Sequence, residues 1–434
     1  MILTIIIVLA FFVVAYYSDI DLLGMYLLLL ITHGVYVKLA GELYQNAPAL
    51  IGMFVTIAII YKKGNSYWRH KKLNSRVLLL FAALFITMIL TGLTGINMDN
   101  SMFAMHLYMK GFILTLLIYL FVNSRRDVER LAIYYLAGAL IGTAWIAWEF
   151  FTDTFSGGDE WTKRAAGLRA DPNNTAMLLV VAIPIAWHFG LKATHKPLKL
   201  AIYATIPLIM WGMALTGSRG GLLALVLVLL LIIMNKPTIK KSMAALITLI
   251  IIVATAPGVL LDRADTLVNE SEASKDGSMN TRADLLFTGL NVIFQKPIMG
   301  VGPGNIGQAI VAYKYRGDVE AHVPSYLFGE EFTVAHNLFL EIFGELGIFG
   351  GAMFLSVVYF ALRSYWHSHQ LAKRNNEYFS LAYALLVSMT GFLFAGLFLS
   401  QGKESILWFL LGMGLAYPAT SGRKRRRRRK KVMA

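Results

Sequence analysis

Ala335-His336-Asn337-Leu338-Phe339-Leu340-Glu341 closes the only long polar interval between hydrophobic spans and delivers a histidine to the mouth of a new helix. The interval reaches back to Asp262, about 75 residues, and holds Asn280-Thr281-Arg282-Ala283-Asp284 and Gly300-Val301-Gly302-Pro303-Gly304-Asn305. On either side of it, apolar runs of about 17 to 23 residues recur, the length that carries a helix across the hydrocarbon layer. The 434 residues are 57% hydrophobic and 15% charged, with a mean hydropathy of +0.60. The pattern predicts an all-α polytopic membrane protein of about twelve transmembrane helices, with one long loop containing an amphipathic helix. Chemistry is expected on that loop, since polar connections carried by a rigid scaffold are where functional groups gather.

The formal net charge of +15 is unevenly spread: nine Lys and Arg run from Arg423 to Lys431, leaving +6 for the rest. A basic run behind a span reads as an anchor on anionic cytoplasmic lipid. No folded domain accompanies it, so nucleic acid is not an expected partner. Met1 enters an apolar run directly, without the charged start and cleavage site of a signal peptide. Cysteine is absent, which excludes disulfides and thiolate metal sites.

With the basic tail inside, the basic segments 363–376, 236–241, 192–199, 123–126 and 62–76 all fall on one side of the membrane. The other side receives 152–174, 216–221, the long loop and 400–404. The first 38 residues divide into Ile2–Tyr17 and Ile20–Val37, interrupted by Asp19 and Asp21. Two full spans there give about thirteen helices; one crossing plus a bent helix gives about twelve, the preferred count, with both ends inside. The expected units are membrane helices over 1–261, the loop over 262–335, three membrane helices over 336–418 and a basic cytoplasmic tail over 419–434. No internal repeat is visible, which weighs against transporters built from inverted repeats.

Within the loop, Ala283–Gln295 carries Leu286, Leu290, Ile293 and Phe294 at helical spacing, predicting a helix on the membrane surface. Thr281-Arg282-Ala283-Asp284 has the form of a capping box and places Arg282 in the first turn. The acidic, Ser- and Gly-containing stretch Val268–Ser278 reads as mobile. The glycine-rich 300–305 loop lacks the Lys-Ser/Thr ending of a P-loop and reads as a structural turn.

The polar groups that merit weighing lie on the external side. Asp171-Pro172 is a helix start, with Arg169 before it and Asn173 and Asn174 after it; Arg169 is either a ligand contact or a snorkelling interfacial residue. Arg219 sits in the tight turn Thr216-Gly217-Ser218-Arg219-Gly220-Gly221, where a cation between apolar helices is costly unless it meets an anion or water. Arg282 opens a helix whose amides favour an anion, although a lone loop arginine is usually solvated. His336 titrates near neutrality and suits a general base; a histidine at a helix start also serves as a cap. On a helix running from His336, Glu341 and Glu345 would lie about 140° and 180° away, poor positions for partners. No cluster has metal-ligand spacing, so neither a metal nor a cofactor is expected. Arginines beside a histidine suit an anionic head group held next to a base, such as a lipid-linked pyrophosphate.

The ordered set Arg-Ala-Asp-Pro-Asn-Asn (169–174), Thr-Gly-Ser-Arg-Gly-Gly (216–221), Asn-Thr-Arg (280–282), Gly-Val-Gly-Pro-Gly-Asn (300–305) and Ala-His-Asn-Leu-Phe-Leu-Glu-Ile-Phe-Gly-Glu-Leu-Gly (335–347) resembles the O-antigen ligase/polymerase superfamily. The resemblance spans about residues 167 to 351 and implies an inner-membrane glycosyltransferase whose active site faces the periplasm. Its substrates would be a glycan on undecaprenyl pyrophosphate and a hydroxyl of lipid A–core oligosaccharide, with no metal and no nucleotide sugar. The family's arginines map onto Arg219 and Arg282, and its histidine onto His336. Arg169, Asn173, Asn174, Asn337, Gln401 and Lys403 are expected to bind substrate. The partners expected are donor, acceptor and membrane lipid, with the chain monomeric. A polymerase or a protein O-glycosylating ligase with the same donor, a transporter of the lipid-linked glycan, and a non-catalytic assembly protein are the alternatives.

Overall fold

The computed structural model describes residues 18–32, 75–154, 164–169, 171–235, 277–321 and 334–417. The run Ile2–Tyr17, the basic stretch at 62–74, residues 236–241, residues 262–276 of the long loop and the basic tail lie outside the described residues. Among the described residues the structure is all helix. In chain order these are α1 (Asp19–Ile31), α2 (Ser75–Leu93), α3 (Met98–Phe121), α4 (Arg125–Thr152), α5 (Pro172–Lys192), α6 (Lys196–Leu215), α7 (Arg219–Met234), α8 (Gly277–Gln295), α9 (Ile306–Arg316), α10 (Leu338–Lys373), α11 (Leu381–Ala395) and α12 (Ser405–Tyr417). Six of them are long and apolar enough to cross a membrane, α2 to α6 and α10; α7, α11 and α12 are shorter apolar helices. The chain is thus a multi-pass membrane protein by length and composition. Its outward-facing side chains agree: Leu79, Phe103, Phe151, Leu200, Met234 and Phe349 are more than half exposed, as lipid-facing groups would be.

The basic connections that are described, 123–126, 192–199 and 363–376, come together at one end of the bundle. There Arg125 pairs with Glu377 and with Glu129 (3.2 Å), Lys192 with Glu129 (2.6 Å) and Arg130 with Asp21 (3.0 Å). Asp19 and Asp21 stand in the first turn of α1 rather than in the middle of a helix. From there α1 runs the length of the bundle, since the Leu30 carbonyl accepts from Arg169 at the opposite end (3.1 Å). Segments 164–169, 171–174, 216–219, 336–337 and 396–405 gather at that opposite end.

The helix at the centre is α12, all of whose residues are buried. Its apolar circumference explains this: a helix without a polar face needs protein or lipid on every side. Trp408 packs on Phe112 of α3 (ring centroids 4.6 Å apart) and Phe409 stacks on Tyr135 of α4 (4.9 Å). Tyr365 of α10 donates to the Leu410 carbonyl (2.7 Å) and Thr115 of α3 to that of Trp408 (2.8 Å). Glycine makes the closest approach possible at Gly111, where a Cβ would fall 2.2 Å from the indole of Trp408.

Two expectations about local structure are corrected. The helix containing Arg282 begins by Gly277, so Thr281 lies inside it rather than at its start, Arg282 falls in the second turn, and Asp284 pairs with Lys314 of α9. The helix expected to open at His336 begins instead at Leu338, capped by Asn337, whose side chain accepts from the amides of Phe339 (2.9 Å) and Leu340 (3.0 Å). His336 therefore stands outside the helix, and the angles of a helical wheel do not apply to it. That helix also breaks at Gly347 (φ 66°, ψ −174°), where a Cβ would sit 2.1 Å from the Ile298 carbonyl oxygen. The amide freed beyond the break, of Ile348, donates to the Pro297 carbonyl (2.8 Å).

One face of α8 packs on α9 and α10 through Leu285 and Val292, with Ile293 against the same small core. Leu286, Phe287, Leu290 and Phe294 are exposed, an apolar face of the kind expected at a membrane surface. Ile293 thus belongs to the inward side rather than to the surface stripe.

Candidate functional site

Asp171 caps α5 by accepting from the amides of Asn173 (2.7 Å) and Asn174 (2.9 Å), and Pro172 occupies the first turn, as the sequence predicts. This cap aims the two asparagines in different directions. Asn174 donates to Glu404 (2.8 Å) and accepts from Gln401 (2.6 Å). Asn173 accepts from Ser218 Oγ (2.8 Å) and from Arg164 (3.4 Å), whose Nε also donates to the Thr216 carbonyl (2.9 Å). One helix start thereby joins the turn that carries Arg219 to the turn before α12.

Arg169 ends a single 3₁₀ turn, Gly167–Arg169, placed by Glu149. The Glu149 side chain, fully buried, accepts from the Gly167 amide (3.1 Å) and from Trp145 Nε1 (3.2 Å). From that turn the guanidinium pairs with Glu404 and donates to the Leu30 carbonyl (3.1 Å) and Ser405 Oγ (3.3 Å). Burial pushes the Arg169 guanidinium down to about 10, which leaves it charged at neutral pH and matched by Glu404.

Arg219 is the first residue of α7. Ser218 caps it by accepting from the Gly221 amide (3.2 Å), and Gly217 makes the preceding turn with φ 58°. A Cβ on Gly220 would touch Leu399 (3.3 Å) and Phe398 (3.6 Å), and one on Gly221 would meet Ala176 of α5 at 2.7 Å. Gly221 is thus required for α7 to seat against α5, while a side chain at Gly220 would press on the 396–399 turn. His336 flanks the same turn: Leu338 N–H donates to the Gly396 carbonyl (2.7 Å), and the Asn337 side chain donates to that of Leu397 (3.0 Å). The His336 backbone is left-handed (φ 47°), a conformation that costs a β-carbon-bearing residue about 1–2 kcal/mol and is found at functional positions. Asn337, an expected substrate contact, has its side chain engaged on both sides by the helix start and by Leu397.

Lys403, also an expected contact, turns inward to Glu341 (3.3 Å) and Glu345 (3.4 Å). Arg282 is placed on α8, and its side chain lies outside the described residues. The 300–305 loop is a turn: Gly300, Gly302 and Gly304 have positive φ, and Val301 and Gly302 N–H donate to the carbonyls of Gly344 (2.9 Å) and Glu345 (3.0 Å). Among the described residues no group of three or more His, Cys, Asp or Glu side chains is placed to hold a metal ion. A cavity of about 940 Å³ lies at the opposite end of the bundle, among Arg125, Glu129, His188, Lys192 and Glu377, away from this cluster.

Glu404, Arg164 and Glu149 are not among the expected site residues. Two of them carry a signal in the sequence: Glu149 is a carboxylate inside an apolar run, and Glu404 is the one acid in the short 400–404 turn.

Residues 204–355 match the family model for O-antigen ligase, and the match supports membership of the O-antigen ligase/polymerase superfamily. The matched segment holds Arg219, Arg282 and His336. No curated protein matches the chain. Members of that family are glycosyltransferase-like ligases and polymerases, and the match supports a function of that type.

Proposed function

We propose that the protein is an O-antigen ligase, an inverting glycosyltransferase that moves a polysaccharide from undecaprenyl pyrophosphate to a hydroxyl of lipid A–core oligosaccharide on the periplasmic side of the inner membrane. The observation that carries the reading is that the segments bearing Arg219 and His336 both pack on the Gly396–Leu399 turn, through Gly220 on one and Asn337 and Leu338 on the other, and both lie within the segment matched to the family. The acceptor oxygen attacks the anomeric carbon while the bond from that carbon to the pyrophosphate oxygen breaks. His336 takes the hydroxyl proton, and Arg219 and Arg282 stabilise the charge left on undecaprenyl pyrophosphate. Pyrophosphate leaves readily, so no acid is needed. Losing one such arginine costs about 3–4 kcal/mol, or roughly a hundredfold to a thousandfold in rate. Arg169, already opposed by Glu404, serves the site by holding the α5 start and the 401–405 turn together. The basic end of the bundle, under the positive-inside rule, is the cytoplasmic one.

The test is transfer by purified protein of lipid-linked polysaccharide to lipid A–core with EDTA present, comparing wild type with His336→Ala and Arg219→Ala. Transfer by the wild type and its loss in both variants is expected. Full transfer by His336→Ala removes the histidine from the mechanism. A wild type that extends lipid-linked glycan but leaves lipid A–core untouched is a polymerase, the second reading the family supports.

A further inference from the structure

Beneath the turn before α12 lies a set of charges that the proposed chemistry does not use. Glu341 and Glu345, one helical turn apart on α10, are 3% and 0% exposed. Lys403 reaches both carboxylates, and the Tyr108 hydroxyl of α3 donates to Glu345 Oε2 (3.2 Å). Burial alone would depress the Lys403 ammonium; the carboxylates of Glu345 and Glu341 more than offset this and hold it above its ordinary value. Removing three ions from water costs several kcal/mol each, and ionisable groups inside a membrane bundle are rare unless something depends on them.

Each member of the cluster holds a different piece of the site. Glu341 Oε2 accepts from the Gly402 amide (3.1 Å), while the Gly402 carbonyl accepts from Trp408 Nε1 (2.9 Å). Gly402 is thus fixed on both sides, and with it the neighbours Gln401 and Glu404 that engage Asn174 and Arg169. Glu345 accepts from the Gly304 amide with its carboxylate and from the Gly302 amide with its carbonyl, so it holds the glycine loop that follows α8, the helix of Arg282. Lys403 is the only cation joining the two carboxylates among the described residues.

We propose that Lys403, Glu341 and Glu345 form a positioning hub that locks the 401–404 turn to the glycine loop, and that Lys403 acts through these carboxylates rather than on substrate. The inference rests on the glycosyltransferase reading only for its activity readout. Removing the ammonium leaves two buried carboxyl groups side by side without a cation; they either repel or share a proton, and in both cases the grip on the turn and the loop that runs through Lys403 is lost. Neutralising all three groups removes the repulsion and restores the contact, whereas it cannot restore a lost lysine–substrate bond.

The test compares Lys403→Met, Lys403→Arg, Glu345→Gln and the triple variant Lys403→Met/Glu341→Gln/Glu345→Gln. Transfer is measured together with the distance distribution between spin labels on cysteines introduced at Tyr315 of α9 and Leu397, both exposed, in a chain without native cysteine. Lys403→Met is expected to lose transfer about a hundredfold, as a displacement of about 1 Å at a site can do, and to broaden the distribution. Lys403→Arg and the triple variant are expected to regain most of the rate and the narrow distribution. Should Lys403→Met not fold, Glu345→Gln carries the test, since its amide nitrogen would face the ammonium and broaden the distribution. A triple variant as inactive as Lys403→Met, with its distances restored, would assign Lys403 to the substrate and overturn the hub. Unchanged distances in both Lys403→Met and Glu345→Gln would overturn it too. The label measurement needs no substrate, so a wild type without transfer would count against the function alone.

Discussion

Truncating Glu404 to alanine tests how the two turns of the candidate site are held. The side chains of Arg169 and Glu404 are only 11% and 16% exposed, so their pair is screened by protein more than by water. Without Glu404 the Arg169 guanidinium keeps two neutral acceptors, the Leu30 carbonyl and Ser405 Oγ, and Asn174 loses the acceptor of its 2.8 Å bond. Breaking one side of a buried pair costs about 3–5 kcal/mol. The residual exposure lets some water reach both groups and places the expectation near the lower figure, about 3 kcal/mol. Glu404→Gln retains one acceptor for either neighbour and should cost about half as much, in line with the loss of one charge-assisted hydrogen bond. The assay is reversible unfolding in mixed micelles, arranged as a double-mutant cycle with Arg169→Met, in which a coupling of about 2 kcal/mol is expected. Donor binding is measured on the same proteins. A Glu404→Ala protein within about 0.5 kcal/mol of wild type would show that the pair behaves as a surface contact and does not hold the two turns together. Tighter donor binding by folded Glu404→Gln would show instead that Arg169 is a phosphate ligand held in check by its partner.

Three further outcomes follow from local geometry. Both His336→Gly and His336→Ala should abolish transfer, but the glycine variant should be the more stable by about 1 kcal/mol in unfolding, because φ 47° strains any residue with a β-carbon. Gly111→Ala should cost about 1–3 kcal/mol by overpacking against Trp408, whereas Gly317→Ala, with open space around it, should cost only about 1 kcal/mol through its φ of 70°; the two melting shifts compared on one background test the distinction. Burial would raise the Glu377 carboxyl, but the Arg125 guanidinium outweighs it and holds the group below the ordinary carboxylate range. A depressed carboxyl contributes stability above its unfolded value and loses it as pH falls through the folded one, so the wild type should lose melting temperature below about pH 4.3 more steeply than Glu377→Gln.

What the sequence discloses about this molecule is mostly what depends on neighbours in sequence. Asp171-Pro172 announces its own cap, and the alternation of basic loops identifies the connections that meet around Arg125, Lys192 and Glu377. The errors arise where a distant segment outbids a local preference. Asn337 rather than His336 caps α10, because its amide also reaches Leu397 sixty residues on. Gly347 breaks a run that reads as continuously helical, and the backbone at Ile298 leaves no room there for a Cβ. Thr281 and Asp284 match a capping pattern, yet the helix continues upstream of them and Lys314 claims the aspartate. Pairings such as Arg169 with Glu404, 235 positions apart, leave no trace in periodicity, which reports the face a residue takes and not the partner it meets there.

The full enclosure of α12 also constrains how the protein is made. Its neighbours α3, α4 and α10 all precede it in the chain, so they reach the membrane before the helix that fills the space between them. Until it arrives, the Tyr365 and Thr115 hydroxyls and the faces that meet Trp408 and Phe409 have only lipid, water or one another. At 13 residues α12 is also shorter than the roughly 20 that an independent membrane segment needs, so it gains little by leaving the translocation machinery for lipid alone. Assembly is therefore gated by a late step in which a short helix enters a preformed slot. Substitutions that narrow the slot should reach the cell as degraded nascent protein rather than as a folded enzyme with reduced activity.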